Sequence, residues 1–314
     1  MQRVGFIVME GFQIMCFAAA SVFEFANLSI GKPRYDVHVL SEHGGPIRCS
    51  LGLSMDTERF RSSAFDTLIV GGCPEIVESS PTLIAFVRRS VKSVRRIASV
   101  WTGAFVLAEA GILDGRRVAT HWLNGRELQR RFPTVKVKED RIFIVDGPVW
   151  TSAGMSGGID LALGMVERDL GADVARLVAK KLILHHRRAA GQSQHSALLD
   201  LDPKSDRIQR VLAYAAKNLR APLSVNELAH QAHLSPRQFS RAFRAETGKS
   251  PAKAVEDLRL EAARLMVEQG NDSIEVIADE CGFANPERMR RAFLRAFSQP
   301  PQVIRRNARI ADLA

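Results

Sequence analysis

The stretch Val225-Asn-Glu-Leu-Ala-His-Gln-Ala-His-Leu234 returns in altered form 49 residues later as Ile274-Glu-Val-Ile-Ala-Asp-Glu-Cys-Gly-Phe283. In both stretches apolar residues recur at three- and four-residue intervals, the period of an amphipathic helix. The likeness continues beyond each stretch, because Pro236–Phe243 and Pro286–Phe293 both end in Arg-Ala-Phe. Each copy therefore predicts a helix, a tight turn and a second helix.

Helix start signals support this division of the two copies. Pro251 and Pro286 stand at predicted first helical positions, where the missing N–H of proline has no cost. A long helix from about Pro251 to Glu268 is expected to join the copies. Three pairs have the spacing of a capping box, namely Ser224 with Glu227, Ser235 with Gln238, and Asp272 with Glu275.

The second helix of each copy has apolar residues on one side and arginines on the other. Such a helix fits the DNA major groove, where arginine binds a guanine edge or a phosphate. One isolated helix of this kind is more simply a solvated face, but the repetition favours DNA binding. Residues 285–306, which include the second of these helices, contain six arginines against one acid. The arginines on the two faces are Arg237, Arg241 and Arg244 in the first copy and Arg288, Arg291 and Arg295 in the second.

Residues 207–306 resemble the AraC/XylS family of transcription regulators. The resemblance rests on Ile274-x-x-Ile-Ala-x-x-Cys-Gly-Phe283, then Arg291-Ala-Phe-x-x-x-Phe297 and Pro300-Pro301. It implies that the two reading helices enter successive major-groove segments of double-stranded DNA. One departure is His233, where the first turn of the family usually has glycine, so slight strain is expected there. The candidate DNA-binding residues are Arg237, Ser240, Arg241, Arg244, Pro286, Glu287, Arg288, Arg291 and Arg295.

The first two hundred residues alternate short β-rich runs with helical patterns, which is typical of a parallel sheet. Runs such as Thr67–Val70 are apolar throughout, as expected for strands covered by helices on both faces. We predict a doubly wound, flavodoxin-like α/β domain, followed by an all-α domain with two helix-turn-helix units. Its predicted strands are Val4–Met9, Asp36–Ser41, Asp66–Gly72, Ile97–Gly103 and Arg117–Trp122, with a hairpin of Ile142–Val145 and Val149–Ser152; helices are predicted over about 158–169 and 172–188.

Helical periodicity is lost between residues 187 and 203, where Gly191, Gln192 and Ser193 collect. Domain boundaries fall in stretches of this composition. We therefore predict a front domain of residues 1–190, a linker of residues 191–206, a helical domain of residues 207–306 and a tail of residues 307–314.

The stretch Ile97-Ala-Ser-Val-Trp-Thr-Gly-Ala-Phe105 predicts a strand, a sharp turn and a helix, the layout of a nucleophile elbow. With Asp66–Gly72 and Ala119-Thr-His-Trp122, it resembles the ThiJ/PfpI branch of the class I glutamine amidotransferase superfamily over about residues 3–190. Joined to an AraC-type tail, such a domain gives the regulator architecture called GlxA-like.

The resemblance implies a cysteine at the apex of the elbow, an acid after the first strand and commonly a histidine in enzymes of the superfamily. This chain has Trp101 at the apex and Cys16 in place of the acid, so only His121 corresponds. We therefore assign no catalytic residue and expect that the protein is not an enzyme.

The carboxyl ends of the parallel strands remain the expected place for a ligand. Gly71 and Gly72 offer backbone N–H groups, Trp101 offers a stacking face suited to a quaternary ammonium or aromatic group, and Ser156 opens a helix whose N-terminus suits an anion. Two interpretations stay open: sensing of a small effector, or dimerisation alone. The candidate ligand-binding residues are Cys16, Gly72, Cys73, Trp101, Thr102, His121 and Ser156.

The composition favours a globular protein with a polyanionic partner, since 46% of residues are hydrophobic and the formal charge is +10. The chain has no run of eighteen uncharged apolar residues, and the apolar run Val4–Met9 is too short for the core of a secretory signal. We therefore expect a cytoplasmic protein without a membrane partner. The four cysteines lack metal-ligand spacing, which argues against a zinc site and against a disulfide framework. No metal and no other cofactor is expected.

The preferred hypothesis is a homodimeric transcription regulator that binds promoter DNA and responds to a small-molecule effector. Activation is the commoner mode that the resemblance implies, and RNA polymerase is then a further expected partner. The alternative is a ThiJ/PfpI-type hydrolase or hydratase with a DNA-binding tail. A third, weaker hypothesis is an architectural DNA-binding protein without an effector.

Overall fold

The computed structural model describes residues 1–61, 65–184, 194, 197–270 and 272–306. The chain divides into two compact units, residues 1–194 and residues 195–313. Within the described residues, no helix is both long enough and apolar enough to cross a membrane.

The front unit is built on an eight-stranded sheet. Its strands are β1 (Gln2–Ile7), β2 (Tyr35–Ser41), β3 (Gly45–Arg48), β4 (Ser54–Arg59), β5 (Thr67–Val70), β6 (Arg96–Val100), β9 (Phe143–Asp146) and β10 (Val149–Ser152). A separate two-stranded sheet pairs β7 (Arg117–Val118) with β8 (Lys136–Val137). The order in the large sheet is β3-β4-β2-β1-β5-β6-β10-β9, and its central strands are parallel.

Helices cover both faces of this sheet, as predicted. They are α1 (Ala18–Ile30), α2 (Pro81–Ser90), α3 (Gly103–Glu109), α4 (Trp122–Arg131), α5 (Ser156–Leu170) and α6 (Ala172–Lys181). Successive side chains of β5 point to opposite faces. Ile69 packs in a core with α1, α5 and α6, whereas Leu68 and Val70 pack in a core with α2 and α3. The prediction of a doubly wound domain is thus confirmed.

The predicted strand Arg117–Trp122 is wrong beyond Val118. The side chain of His121 accepts a hydrogen bond from the Leu123 N–H at 3.3 Å, which makes His121 the N-cap of α4. The chain therefore turns into a helix, and the short β7 pairs with β8 outside the large sheet. The predicted strand Ile97–Gly103 likewise ends at Val100, because Gly103 already belongs to α3.

The sequence prediction also missed β3 and β4 at one edge of the sheet. Both strands are mostly exposed, and β4 has the polar sequence Ser-Met-Asp-Thr-Glu-Arg. An exposed edge strand lacks the apolar run by which a strand is found in a sequence. The hairpin of β9 and β10 was predicted and is antiparallel. The end of the helix predicted to reach residue 188 lies outside the described residues, and α6 ends at Lys181.

Helices make up the back unit: α7 (Ala197–Asp200), α8 (Asp206–Lys217), α9 (Val225–Gln231), α10 (Pro236–Thr247), α11 (Pro251–Gln269), α12 (Ile274–Glu280) and α13 (Pro286–Phe297). The short α7 lies within the stretch predicted as a linker. Both predicted helix-turn-helix units are present, as α9 with α10 and as α12 with α13, and α11 joins them.

Side-chain caps begin most of these helices. Ser235 and Gln238 form the predicted capping box, in which each side chain binds the other residue's backbone N–H. The predicted cap at Asp272 is wrong. The hydroxyl of Ser273 accepts from the Val276 N–H at 3.3 Å, so Ser273 is the N-cap of α12 and Asp272 lies before it.

Candidate functional site

The first helix-turn-helix unit closes around two phenylalanines. Phe239 and Phe243 of α10 are buried against Leu228 and Ala229 of α9, as the apolar pattern predicts. The turn between the helices passes through His233, whose φ is +54°. The expected left-handed conformation at this histidine is therefore present.

The opposite side of α10 is exposed and positively charged. Arg237, Arg241 and Arg244 are exposed, and Ser240 is half-buried beside them. None of the three guanidinium groups has an ion pair or hydrogen bond with another described residue. This face presents unneutralised charge at the surface.

The second unit repeats this arrangement with α12 and α13. Met289, Ala292 and Phe293 are buried on one side of α13. Pro286 is half-buried at the first helical position, and the Asn285 side chain caps the helix by accepting from the Arg288 N–H at 2.9 Å. The remaining candidate residues of the second unit are exposed on α13, namely Glu287, Arg288, Arg291 and Arg295.

Acidic partners distinguish α13 from α10. The Glu287 carboxylate accepts from Arg290 at 2.7 and 3.0 Å and from Arg291 at 3.2 Å. The hydrogen bond from Arg290 lowers the pKa of Glu287. Arg295 donates to Glu256 of α11 at 2.9 Å. Part of the positive charge of α13 is therefore already neutralised, by the carboxylates of Glu287 and Glu256. Of the residues in these pairs, Arg290 and Glu256 were not among the candidates.

In the front unit, Trp101 stands at the apex of a sharp turn between β6 and α3. Its φ is +58°, which is unusual for a bulky residue. The turn has room for this conformation only because two neighbours are glycines. A Cβ at Gly154 would lie 2.4 Å from the Trp101 Cβ, and a Cβ at Gly103 would lie 2.2 Å from the Val70 carbonyl oxygen. The predicted elbow is thus present.

Four candidate residues lie together beneath this elbow. The Thr102 hydroxyl donates to the Cys73 carbonyl at 2.7 Å and accepts from the Cys73 N–H at 2.8 Å. The Gly72 N–H donates to the Cys16 sulfur at 3.4 Å. The Gly71 N–H donates to the Ile7 carbonyl at 2.9 Å. The backbone donors that the sequence suggested for a ligand are therefore already used within the unit.

Burial makes the two thiols in this cluster poor nucleophiles. It raises the pKa of Cys16 to about 11 and that of Cys73 to about 11. The thiolate is the reactive form of cysteine, and little of it is present at neutral pH at such a pKa.

The side chains of Trp101, His121 and Trp122 form an aromatic group on the exposed side of the elbow. The Trp101 and His121 ring centroids are 6.4 Å apart, and those of His121 and Trp122 are 5.7 Å apart. The Trp101 indole N–H donates to the Asn124 side chain at 3.0 Å. Trp122 is 47% exposed, so the group opens to solvent. Trp122 and Asn124 were not among the candidates, although both lie within three residues of His121.

The front unit ends at Gln194, which binds the loop carrying this group. Its Nε2 donates to the carbonyl oxygens of Thr120, Glu139 and Arg141 at 2.7, 2.9 and 3.0 Å. Its Oε1 accepts from the Trp122 N–H at 2.9 Å. The Thr120 hydroxyl in turn donates to the Trp101 carbonyl at 2.9 Å. Sequence reasoning could not find Gln194, because it lies in a polar stretch without a pattern.

Ser156, the remaining candidate, is exposed at the start of α5. The next two backbone N–H groups donate locally, from Gly157 to the Gly154 carbonyl at 2.8 Å and from Gly158 to the Met155 carbonyl at 3.1 Å. The described residues contain no group of three or more His, Cys, Asp or Glu placed to hold a metal ion.

Two family models match the chain. Residues 2–168 match the DJ-1/PfpI family, and residues 228–307 match a helix-turn-helix domain. The HTH-type transcriptional regulator GlxA of Rhizobium meliloti (strain 1021) is 32% identical to the chain, over 98% of this chain and 96% of GlxA. The isonitrile hydratase of Pseudomonas putida is 34% identical over 48% of this chain and 66% of the hydratase.

Among solved structures, the chain is similar to an AraC family transcriptional regulator from Pseudomonas putida, with a TM-score of 0.53 and 27% identity. That likeness covers 58% of this chain and 100% of the other. The chain therefore belongs to the DJ-1/PfpI family and, within it, to the HTH-type transcriptional regulators that combine such a domain with an AraC-type helix-turn-helix domain.

Proposed function

We propose that this regulator reads double-stranded DNA with α10 and α13, one helix in each of two successive major-groove segments. The observation that carries this proposal is the pair of exposed arginine faces on two repeated helix-turn-helix units. Arginine supplies both phosphate contacts and bidentate pairing to guanine. The DNA contacts are assigned to Arg237, Ser240, Arg241 and Arg244 of α10, and to Pro286, Glu287, Arg288, Arg291 and Arg295 of α13.

Selection of bound fragments from a random DNA pool by the full chain tests this assignment. The expected result is one enriched sequence, for which Arg291→Ala weakens binding by about 1–3 kcal/mol and relaxes the preference at one position. Arg207→Ala, which removes an exposed arginine of α8, is the charge-matched control and should leave the preference unchanged. An unchanged preference in Arg291→Ala would overturn the assigned role.

The front unit, in this proposal, senses a small molecule at the aromatic group of Trp101, His121 and Trp122. Trp101 and Trp122 offer ring faces near the exposed side of the elbow, which suits an aromatic or quaternary ammonium compound. Cys16, Gly72, Cys73 and Thr102 form the floor under Trp101, and Ser156 lies at the start of α5. A dimerisation role without any effector is the competing interpretation.

Thermal unfolding in the presence of a panel of aromatic and quaternary ammonium compounds separates these interpretations. A ligand that binds the folded state raises the free energy of unfolding, by about 2.7 kcal/mol at a concentration of one hundred times Kd, and the midpoint therefore rises with ligand concentration. The shift should be lost in Trp101→Ala and kept in Trp150→Phe, a buried tryptophan of β10. If no compound in the panel shifts the midpoint, the dimerisation interpretation is preferred.

Gln194 is proposed to carry the effector signal out of the front unit. It is bonded to both Thr120 and Trp122, and it is the last residue of the front unit before the chain enters the DNA-binding unit. Gln194→Ala is expected to leave the affinities for DNA alone and for effector alone unchanged. It should reduce the change in DNA affinity that effector binding causes, and the reverse change in effector affinity. An unchanged coupling between the two ligands would exclude this role.

Catalysis is the alternative function, and the likeness to the isonitrile hydratase favours it. The replacement of the apex nucleophile by Trp101 and the raised pKa of both thiols argue against it. We expect no turnover of an isonitrile by the purified chain. Turnover that disappeared in Cys16→Ala would establish the enzymatic alternative.

We expect a cytoplasmic homodimer that activates transcription together with RNA polymerase. Sedimentation equilibrium should give twice the mass of the chain, and a promoter fusion should lose expression when the gene is deleted.

A further inference from the structure

The described residues of the back unit form two separate apolar cores, and the long helix α11 contributes side chains to both. Val255 and Leu258 belong to the core of the first helix-turn-helix unit, and Leu260 and Val267 belong to that of the second. Arg259 lies between the two sets. The shared helix alone does not explain what fixes the angle between the two helix-turn-helix units.

Polar contacts of Arg259 link α11 to the first helix-turn-helix unit at this division. Its Nε donates to the Leu219 carbonyl at 3.1 Å, and its Nη2 donates to the Ala221 carbonyl at 2.6 Å. Both carbonyls belong to the loop between α8 and α9 in the first unit. Arg259 therefore ties the connecting helix to the loop that leads into the first unit.

Gly282, in the turn of the second unit, packs directly on the same contacts. A Cβ at this position would lie 1.9 Å from the Leu219 carbonyl oxygen and 2.9 Å from both Nε and Nη2 of Arg259. The positive φ of +72° is not enough to require glycine, because His233 adopts +54° at the matching position of the first unit. Close packing between the units is what requires glycine here.

A third contact crosses between the units at the surface. Arg220, next to Leu219, pairs with Asp279 and Glu280 of α12. The pairs are about half-exposed or more, so each contributes little alone. We call Leu219–Pro222, Arg259 and Asp279–Gly282 together the seam.

We propose that the seam, and not α11 alone, fixes the angle and separation of α10 and α13. It thereby fixes the spacing between the two DNA segments that one chain can bind. The functional part of this inference rests on the proposed DNA contacts of the two helices. Its structural part does not.

Distance measurements between paramagnetic labels on α10 and α13 test the structural part without DNA. Ala245→Cys and Ala296→Cys are suitable labelling sites, since both residues are exposed and the four native cysteines are buried. The distribution should be narrow in the otherwise unaltered full chain. It should broaden or shift in Arg259→Met and in Gly282→Ala, and remain narrow in His233→Ala and Arg210→Ala, the matched controls.

A series of DNA probes tests the functional part. The probe is the sequence selected by the full chain, with one, two or three base pairs inserted between its two halves. The unaltered chain should lose about tenfold or more in affinity at the first insertion. In Arg259→Met and Gly282→Ala the loss on insertion should be smaller, even though binding to the uninterrupted probe is also weaker.

The possible results distinguish the structural part of the inference from its functional part. Unchanged label distances in both variants would overturn the seam itself. Changed distances with the same loss on insertion would overturn its role in spacing. Selection of no DNA at all would contradict the proposed DNA contacts and leave the label result to decide the structural part, and circular dichroism shows whether each variant remains helical.

Discussion

At the residue scale, Trp101 and His233 both have a positive φ. At Trp101 the sequence predicted only the apex of a sharp turn, whereas at His233 it predicted this conformation. The apex position of an elbow demanded the first, and the turn of a helix-turn-helix unit demanded the second. What sequence could not supply was the role of Gly154 and Gly282, because the nearest atoms that crowd them belong to Trp101 and Leu219, which are 53 and 63 positions away in the chain.

Gly154→Ala is expected to destabilise the front unit more than a positive φ alone explains. The added methyl would meet the Trp101 Cβ at 2.4 Å, in addition to the backbone strain at φ +89°. Gly52→Ala is a matched control, because φ is +81° there and nothing lies within 4 Å of the added carbon. The control should lose about 1 kcal/mol and Gly154→Ala at least about 2–3 kcal/mol in urea unfolding. Equal losses would mean that the elbow is not tightly packed.

His38 gives the front unit a predicted dependence on pH. Burial lowers its pKa, but hydrogen bonds to Glu58 at 2.7 Å and Asp36 at 2.8 Å outweigh this and leave the pKa raised above 6.5. The Arg3 Nη2 lies 3.4 Å from His38 Nε2, the same ring nitrogen that contacts Asp36. A raised folded-state pKa stabilises the fold fully below about pH 6.5, and this stabilisation is lost as pH rises through the folded-state value.

The measurement is urea unfolding between pH 6 and pH 9 for the unaltered chain and for His38→Gln. The stability difference between the two should shrink as pH rises. A difference that stays constant or grows over this range would contradict the assigned ion pairs.

At the scale of the element, the start of α12 shows a limit of sequence patterns. Asp272 and Ser273 are both good caps, and the spacing to Glu275 favoured the first, but the structure uses the second. We expect Ser273→Ala to destabilise the back unit by about 1 kcal/mol and Asp272→Ala to have a smaller effect. Thermal unfolding of the two variants decides, and a larger loss in Asp272→Ala would restore the original prediction.

The two recognition helices should also respond differently to the loss of an arginine. Arg241 has no partner among the described residues, whereas Arg295 must leave Glu256 before it can bind phosphate. Arg241→Ala is therefore expected to weaken DNA binding more than Arg295→Ala. It should also reduce the slope of log affinity against log salt by about one. Fluorescence anisotropy over a salt series measures both, and the reverse order would contradict the importance of the ion pair.

Helices and buried strands were predictable from the sequence because their apolar periods are strong. The edge strands β3 and β4 were not, since they are mostly exposed and their pairing depends on contacts across the sheet. The same distinction applies to the sites. The exposed arginine faces could be assigned from helical spacing, whereas Gln194 and the seam depend on contacts between distant parts of the chain.

At the scale of the whole molecule, an α/β unit without the usual apex nucleophile precedes a helical unit with two exposed basic faces. The family assignment makes the chain a transcriptional regulator. We further propose that each chain binds two neighbouring segments of the duplex at a spacing set by the seam. Steep salt dependence should accompany this, because several arginines displace phosphate counterions.

Hydroxyl-radical footprinting of the full chain on its selected DNA tests the central claim most directly. The account predicts that each chain protects two backbone segments on one face of the duplex, about one helical turn or 10 base pairs apart. Arg237→Ala should weaken protection of one segment and Arg288→Ala that of the other. A single protected segment per chain, weakened equally by both substitutions, would contradict the account.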